Sequence, residues 1–220
     1  MKKLFIIATW KSHKTSPEAI VWLQELASKK WQNIHNKEII ICPPLTLLSL
    51  VKSVINEKKL PFKVGAQDIS QFEEGPYTGA VNAKQVKEFA DYVIIGHSER
   101  RTHFGETDEI LDVKVQLALK AGLTPIFCVQ GKKTPIPAGV SLVAYEPLGA
   151  IGNDHPDNPA DAEAVAANIK EKHKIPFVLY GGSVAAENIT SFTHMADIDG
   201  VLVSTHSLDP KSFIKIVDNA

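Results

Sequence analysis

Short apolar runs alternate with amphipathic stretches along the whole chain. The runs predict strands at 3–9, 37–42, 61–66, 91–95, 124–129, 140–145, 176–180 and 198–203. Most are apolar throughout rather than at alternate positions, which is typical of strands buried on both faces of a parallel sheet. Eight such strands separated by helices favour a closed (β/α)8 barrel over an open doubly wound sheet. We therefore predict a single α/β domain that spans residues 1–220.

The helix signals between these strands have clear starts and stops. Ser16-Pro17-Glu18 predicts a helix start, because Ser suits an N-cap and Pro the first helical position. A helix over 107–121 carries an apolar face and is stopped by Gly122. Two further helices are predicted over 159–172 and 211–217.

One connection is too short for the pattern. Only ten residues, rich in Gly and Pro, separate Val129 from Val140. A parallel crossover needs about a dozen residues and usually contains a helix. We therefore predict that the helix between strands five and six is reduced or absent. The barrel wall there should be thinly covered and should expose apolar area around Ile136 and Leu142.

Composition removes several classes of function. The 24 basic and 25 acidic residues give a net charge of −1, so bulk charge favours neither nucleic acid nor membrane as a partner. Cys42 and Cys128 lie in apolar runs without Cys-x-x-Cys spacing, which predicts buried free thiols and no metal site. The apolar run 4–8 is too short for a signal peptide or membrane span. We expect a cytoplasmic protein.

Ionisable residues follow three of the predicted strands. Lys11 comes after the first, His97 after the fourth and Glu146 after the sixth. In an α/β barrel the carboxyl ends of the strands meet at one face, which carries the chemistry. A carboxylate base, a neutral electrophile and a cation at one site suit proton abstraction next to a carbonyl group.

Motifs along the whole chain give a family resemblance. Segments 9–11, 64–68 with 75–79, 96–100, 144–147 with 150–152, 179–184 and 199–203 resemble, in order, six motifs of the triosephosphate isomerase family. The resemblance implies a TIM barrel and the interconversion of dihydroxyacetone phosphate and glyceraldehyde 3-phosphate through an ene-diol(ate). That reaction belongs to glycolysis and gluconeogenesis and needs neither cofactor nor metal.

The same resemblance implies roles for individual residues. Glu146 would be the catalytic base, His97 the neutral electrophile and Lys11 the cation that binds substrate, with Glu99 orienting Lys11. The substrate and its phosphate would be bound by Thr9, Lys11, Gly152, Gly181, Gly182, Ser183, Ser204 and Thr205.

Assembly is a further expectation. The loop 67–80 carries Phe72 and Tyr77, and an aromatic pair suits a buried anchor in a homodimer. By resemblance, Thr78 would reach beside the partner's Lys11. A tetramer built on the bare wall between strands five and six is a second, separate expectation.

Several positions depart from the family pattern. Thr9 stands where the family has Asn, Gly149 where its lid has Trp, and Ser204-Thr205 where it has Gly-Gly. Residues 153–157 replace a compact lid end and add two carboxylates, and Ala80 replaces a Glu. Because Cβ atoms restrict positive φ and close approach, we expect altered phosphate recognition, which glycines at 204 and 205 would improve.

Two alternatives to the isomerase stay open on the sequence. The departures would also suit a catalytically weak or inactive homologue that binds an anionic metabolite or a protein partner. A Schiff-base aldolase using Lys11 fits less well, because such a lysine needs an apolar pocket and Glu99 would oppose it.

Overall fold

The computed structural model describes residues 2–147 and 157–220 and contains a closed barrel of eight parallel strands in chain order. The strands are β1 Leu4–Thr9, β2 Lys37–Cys42, β3 Phe62–Ala66, β4 Tyr92–Ile95, β5 Thr124–Val129, β6 Leu142–Tyr145, β7 Phe177–Tyr180 and β8 Gly200–Val203. Each strand ends at the residue that the apolar pattern predicts, although most begin one or two residues later. The positions that follow the strands, where the chemistry was expected, are therefore placed correctly.

Eight α-helices lie in the described part of the chain. They are α1 Ser16–Ser28, α2 Leu48–Glu57, α3 Ala83–Lys87, α4 Ser98–Phe104, α5 Asp108–Lys120, α6 Pro159–His173, α7 Ile189–Thr193 and α8 Pro210–Asn219. None of the helices in residues 2–147 and 157–220 combines the length and apolar character of a membrane span. The N-cap of α1 is Thr15 rather than Ser16, because the Thr15 backbone N–H donates to the Glu18 carboxylate at 2.7 Å.

Two apolar layers hold the barrel together. Alternate residues of β1 illustrate them: Phe5 and Ile7 point into the barrel, whereas Ile6 and Ala8 pack outward against the helices. All four side chains are buried. The uniformly apolar strands of the sequence therefore correspond to burial on both faces.

Residues 130–141, all of which are described, form no helix between β5 and β6. That prediction is confirmed, but the expected exposure of apolar area is wrong. Leu142 is 1% exposed because it points into the barrel, and Ile136 packs against the outer apolar layer. The crossover lies against α5, where the Gln116 side chain donates to the Ala138 carbonyl at 3.1 Å. A segment of turns and irregular backbone thus covers the wall in place of a helix, and the tetramer surface loses its basis.

Candidate active site

Lys11 and Glu99 form an ion pair at the carboxyl end of the barrel. Lys11 follows β1 with a positive φ of 49°, and its Nζ lies 2.7 Å from Glu99 Oε1. Gln67, which follows β3, donates to the carbonyls of Lys11 at 3.0 Å and Cys42 at 2.9 Å. Backbone and side chain of Lys11 are therefore both held in place.

The charge of Glu99 depends on Lys11. Burial raises the pKa of Glu99, but the hydrogen bond and positive charge of Lys11 outweigh it, so that the pKa is lowered from its usual value. Glu99 therefore remains a carboxylate at neutral pH. An ion-paired lysine of this kind does not resemble the desolvated amine of a Schiff-base enzyme.

His97 connects β4 to α4 and has its tautomer set by the helix. It is the N-cap of α4, and its Nδ1 accepts a hydrogen bond from the Glu99 backbone N–H at 3.2 Å. An accepting Nδ1 carries no proton, so the neutral ring has its proton on Nε2. That nitrogen faces the carboxylate of Glu146, with Nε2 and Oε1 3.1 Å apart.

Glu146 is a buried carboxylate held by two donors. It is 1% exposed, and its Oε2 accepts from the Ser98 backbone N–H at 2.9 Å while Oε1 faces His97. The Cys128 thiol lies beside it: burial raises the pKa of this thiol well above its usual value, and the charge of Glu146 raises it further. The carboxylate is thus desolvated and yet satisfied at the first turn of α4.

A cavity of about 190 Å³ lies beside Lys11, His97 and Glu99. It is lined by Thr9, Lys11, Ser12, Gln67, Ile94, His97, Glu99, Arg100 and Phe104. Glu146 is not part of this lining but contacts His97, which is. The sequence analysis assigned no role to Gln67 or Ser98. Gln67 nevertheless shares the pattern of the other site residues, a polar side chain directly after an apolar strand.

The loop after β7 needs its glycines for space. A Cβ on Gly182 would lie 2.2 Å from the Tyr180 hydroxyl, and one on Gly181 would lie 3.2 Å from Glu146 Cγ. The Gly181 backbone N–H donates to the Tyr145 carbonyl at 2.7 Å. Gly181 therefore lies beside Glu146, and Gly182 lies beside Tyr180. Gly152 and Gly149 lie outside the described residues.

Comparison with known proteins identifies the family. The family model described as triosephosphate isomerase matches residues 4–140 and 137–220. The chain belongs to the triosephosphate isomerase family. It is 35% identical over 241 residues to the triosephosphate isomerase of Gloeothece citriformis and 36% identical over 251 residues to that of Dictyoglomus thermophilum. Each alignment covers 99% of both chains.

The Ser204-Thr205 pair, which replaces Gly-Gly of the triosephosphate isomerase pattern, distorts the backbone less than expected. Ser204 has a negative φ of −105°, and residues Thr205–Ser207 form a 3-10 turn. Neither Ser204 nor Thr205 has a positive φ, so Cβ atoms cause no backbone strain there, and altered phosphate recognition stays a prediction. The Ser207 hydroxyl lies 3.2 Å from the Thr9 carbonyl, which joins the turn to β1.

Metal ligands are not clustered in the described structure. Within residues 2–147 and 157–220, no group of three or more His, Cys, Asp or Glu side chains is arranged to hold a metal ion.

Proposed function

We propose that this chain is a triosephosphate isomerase that interconverts dihydroxyacetone phosphate and glyceraldehyde 3-phosphate. The observation that carries the proposal is the contact between Glu146 and the neutral His97, 3.1 Å apart and next to the Lys11–Glu99 pair. The cation and the uncharged donor line one small cavity, and the base contacts the donor. We place the reaction in the cytoplasm, within glycolysis and gluconeogenesis.

Glu146 is the group that moves the proton between carbons. Its carboxylate removes a proton from the carbon next to the carbonyl, which leaves an ene-diol(ate), and returns the proton to the neighbouring carbon. In the free protein Oε1 faces His97 Nε2 and Oε2 accepts from Ser98 N–H. Substrate displaces His97 Nε2 from Glu146 Oε1, and the carboxylate then turns toward the substrate carbon.

His97 and Lys11 stabilise the charge that develops on the substrate oxygens. The proton on His97 Nε2 is fixed there by the Glu99 N–H at Nδ1, so the ring donates without first losing a charge. A neutral His that acts together with a Glu base is the established arrangement in triosephosphate isomerase. The Lys11 ammonium offsets the negative charge of the ene-diolate and the phosphate.

The phosphate is held, in this proposal, by the loops after β7 and β8. Gly181, Gly182 and Ser183 follow β7, and Ser204 and Thr205 follow β8. Adjacent parallel strands bring these loops together at the carboxyl end of the barrel. Gly152 and Thr9 complete the proposed substrate contacts.

A coupled assay with glyceraldehyde 3-phosphate tests the proposal. Glu146→Asp draws the carboxylate back by about one bond length, so kcat should fall roughly 10²- to 10⁴-fold while phosphoglycolate binding persists. Glu109→Asp makes the same change on the exposed face of α5 and should keep the wild-type rate. The proposal is lost if wild type shows only the background rate, or if Glu146→Asp is as active as wild type.

We also propose that the enzyme is a homodimer assembled through the loop 67–80. Phe72 and Tyr77 are 41% and 42% exposed, and their rings stack with centroids 4.2 Å apart. A groove of about 500 Å³ runs between this loop and α4, where Phe104 is 67% exposed. Exposed aromatic rings beside a groove that adjoins the active site suit insertion of the same loop from a second copy.

A further inference from the structure

Lys14 has a backbone conformation that lysine rarely adopts. Its φ is 74°, in the left-handed region where glycine is the usual residue. A long side chain at such a position carries a conformational cost, and such costs persist where the surrounding structure and function require the residue. The contacts of the Lys14 side chain should therefore show why lysine occupies this position.

That side chain reaches across to the loop after β8. Lys14 Nζ donates to the Leu208 carbonyl at 2.7 Å and lies 5.4 Å from the centre of the Trp10 ring. The side chain is only partly exposed, and burial lowers the pKa of Lys14, with Glu18 and Asp209 opposing that effect. An ammonium that is partly desolvated at a carbonyl makes a strong, charge-assisted hydrogen bond.

Leu208 closes the turn that follows Ser204. Its N–H donates to the Thr205 carbonyl at 3.1 Å, and the Ser207 N–H donates to the Ser204 carbonyl at 2.9 Å. The preceding carbonyl, that of Ser207, accepts from Trp22 Nε1 at 3.0 Å. Lys14 and Trp22 thus hold two consecutive carbonyls of the turn from the side of α1.

We infer that Lys14 is a positioning residue for the phosphate-binding loop 204–208. By binding the Leu208 carbonyl it holds Ser204 and Thr205 in place against β1, at a position where these residues replace a pair of glycines of the family. The inference rests on the proposed function, because it assigns that loop to the phosphate. It extends the site to a residue of the segment between β1 and α1.

Steady-state kinetics on three variants test this role. Lys14→Met removes the donor and should raise KM and the dissociation constant of phosphoglycolate about threefold to tenfold, with a smaller fall in kcat. Lys14→Arg keeps a charged donor and should restore most of the affinity. The control, Lys211→Met, removes the same charge from an exposed position on α8 and should leave KM unchanged.

Lys14→Gly separates positioning from simple stability. Glycine relieves the left-handed backbone, so thermal stability should not fall, yet KM should rise as it does in Lys14→Met. Wild-type KM in both Lys14→Gly and Lys14→Met would overturn the inference.

Hydrogen exchange keeps the inference testable even if the chain proves not to be an isomerase. The amides of Ser207 and Leu208 should exchange faster in Lys14→Met than in wild type or Lys14→Arg, because the turn loses its tether. Absence of turnover by wild type would defeat the proposed function alone. Unchanged exchange at these two amides would defeat the role of Lys14.

Discussion

A single backbone hydrogen bond decides the chemical state of His97. The Glu99 N–H occupies Nδ1, and this leaves the proton on Nε2, next to Glu146. Glu99 then uses its side chain to hold Lys11. One residue therefore positions both the proposed electrophile and the proposed cation, through its backbone and its carboxylate respectively.

The ion pair between Lys11 and Glu99 should make stability depend on pH. Because the folded-state pKa of Glu99 is lowered, the contribution of the pair is fully present above the unfolded pKa, about 4.3, and is lost as pH falls through the folded value. The difference in free energy of unfolding between wild type and Glu99→Gln should therefore be constant down to about pH 5 and shrink between about pH 5 and about pH 3, as measured by urea denaturation. In a Lys11→Met background the burial of Glu99 is no longer offset by Lys11, so this loss on acidification should disappear or reverse, and its persistence there would point to another partner.

At the level of elements, α4 and α5 are joined to the loop after β3 by a buried charge network. Arg100 of α4 lies 2.9 Å from Asp68 and 2.7 Å from Glu106, and Lys114 of α5 lies 2.6 Å from Asp68. Lys114 is 4% exposed and also contacts Glu106. Burial raises the pKa of Asp68, and Lys114 opposes that rise. The network fixes α4, whose first turn carries His97 and Ser98.

Lys114→Met should therefore be strongly destabilising. Removing one member of a buried pair leaves uncompensated carboxylates, at a cost of about 3 kcal/mol in the free energy of unfolding. Lys120→Met is the matched control on the same helix. Lys120 pairs with Glu73, and the two side chains are 71% and 60% exposed respectively, so the change should lower the free energy of unfolding by less than about 1 kcal/mol. Urea denaturation at one protein concentration compares the two, and equal costs would mean that the network contributes no more than a surface pair.

At the level of the whole molecule, the exposed aromatic residues are not spread evenly. Phe72, Tyr77 and Phe104 all line or flank the groove beside the active site. Arg100 contributes to both this groove and the active-site cavity, and its guanidinium lies 4.5 Å from the centre of the Phe104 ring. The proposed dimer would therefore cover apolar surface and complete the site in the same step.

Thr78→Arg tests that assembly, because an arginine at the tip of the loop would not fit into the partner's groove. Wild type should scatter light as a dimer, and the variant should shift toward monomer and lose isomerase activity in parallel. Thr190→Arg places the same side chain on α7, on the far side of the barrel, and should remain dimeric. A wild-type monomer with full activity would contradict the proposal.

The sequence by itself determined the barrel and the residues at its carboxyl end. Apolar runs report burial of individual strands, and the abrupt change to polar residues marks where each strand ends, so Lys11, His97 and Glu146 could be assigned to one face. The short crossover between β5 and β6 likewise indicated a missing helix, because chain length limits what a connection can contain.

Only the tertiary structure decided how those residues are held. The partners of Glu146, the backbone of Ser204, the covering of Leu142 and the reach of Lys14 to Leu208 all depend on contacts between segments far apart in the chain. No local pattern of hydrophobic and polar positions encodes such contacts. Their geometry follows from the closure of the barrel, which brings β1 beside β8 and the N-terminal turn of α4 beside the end of β6.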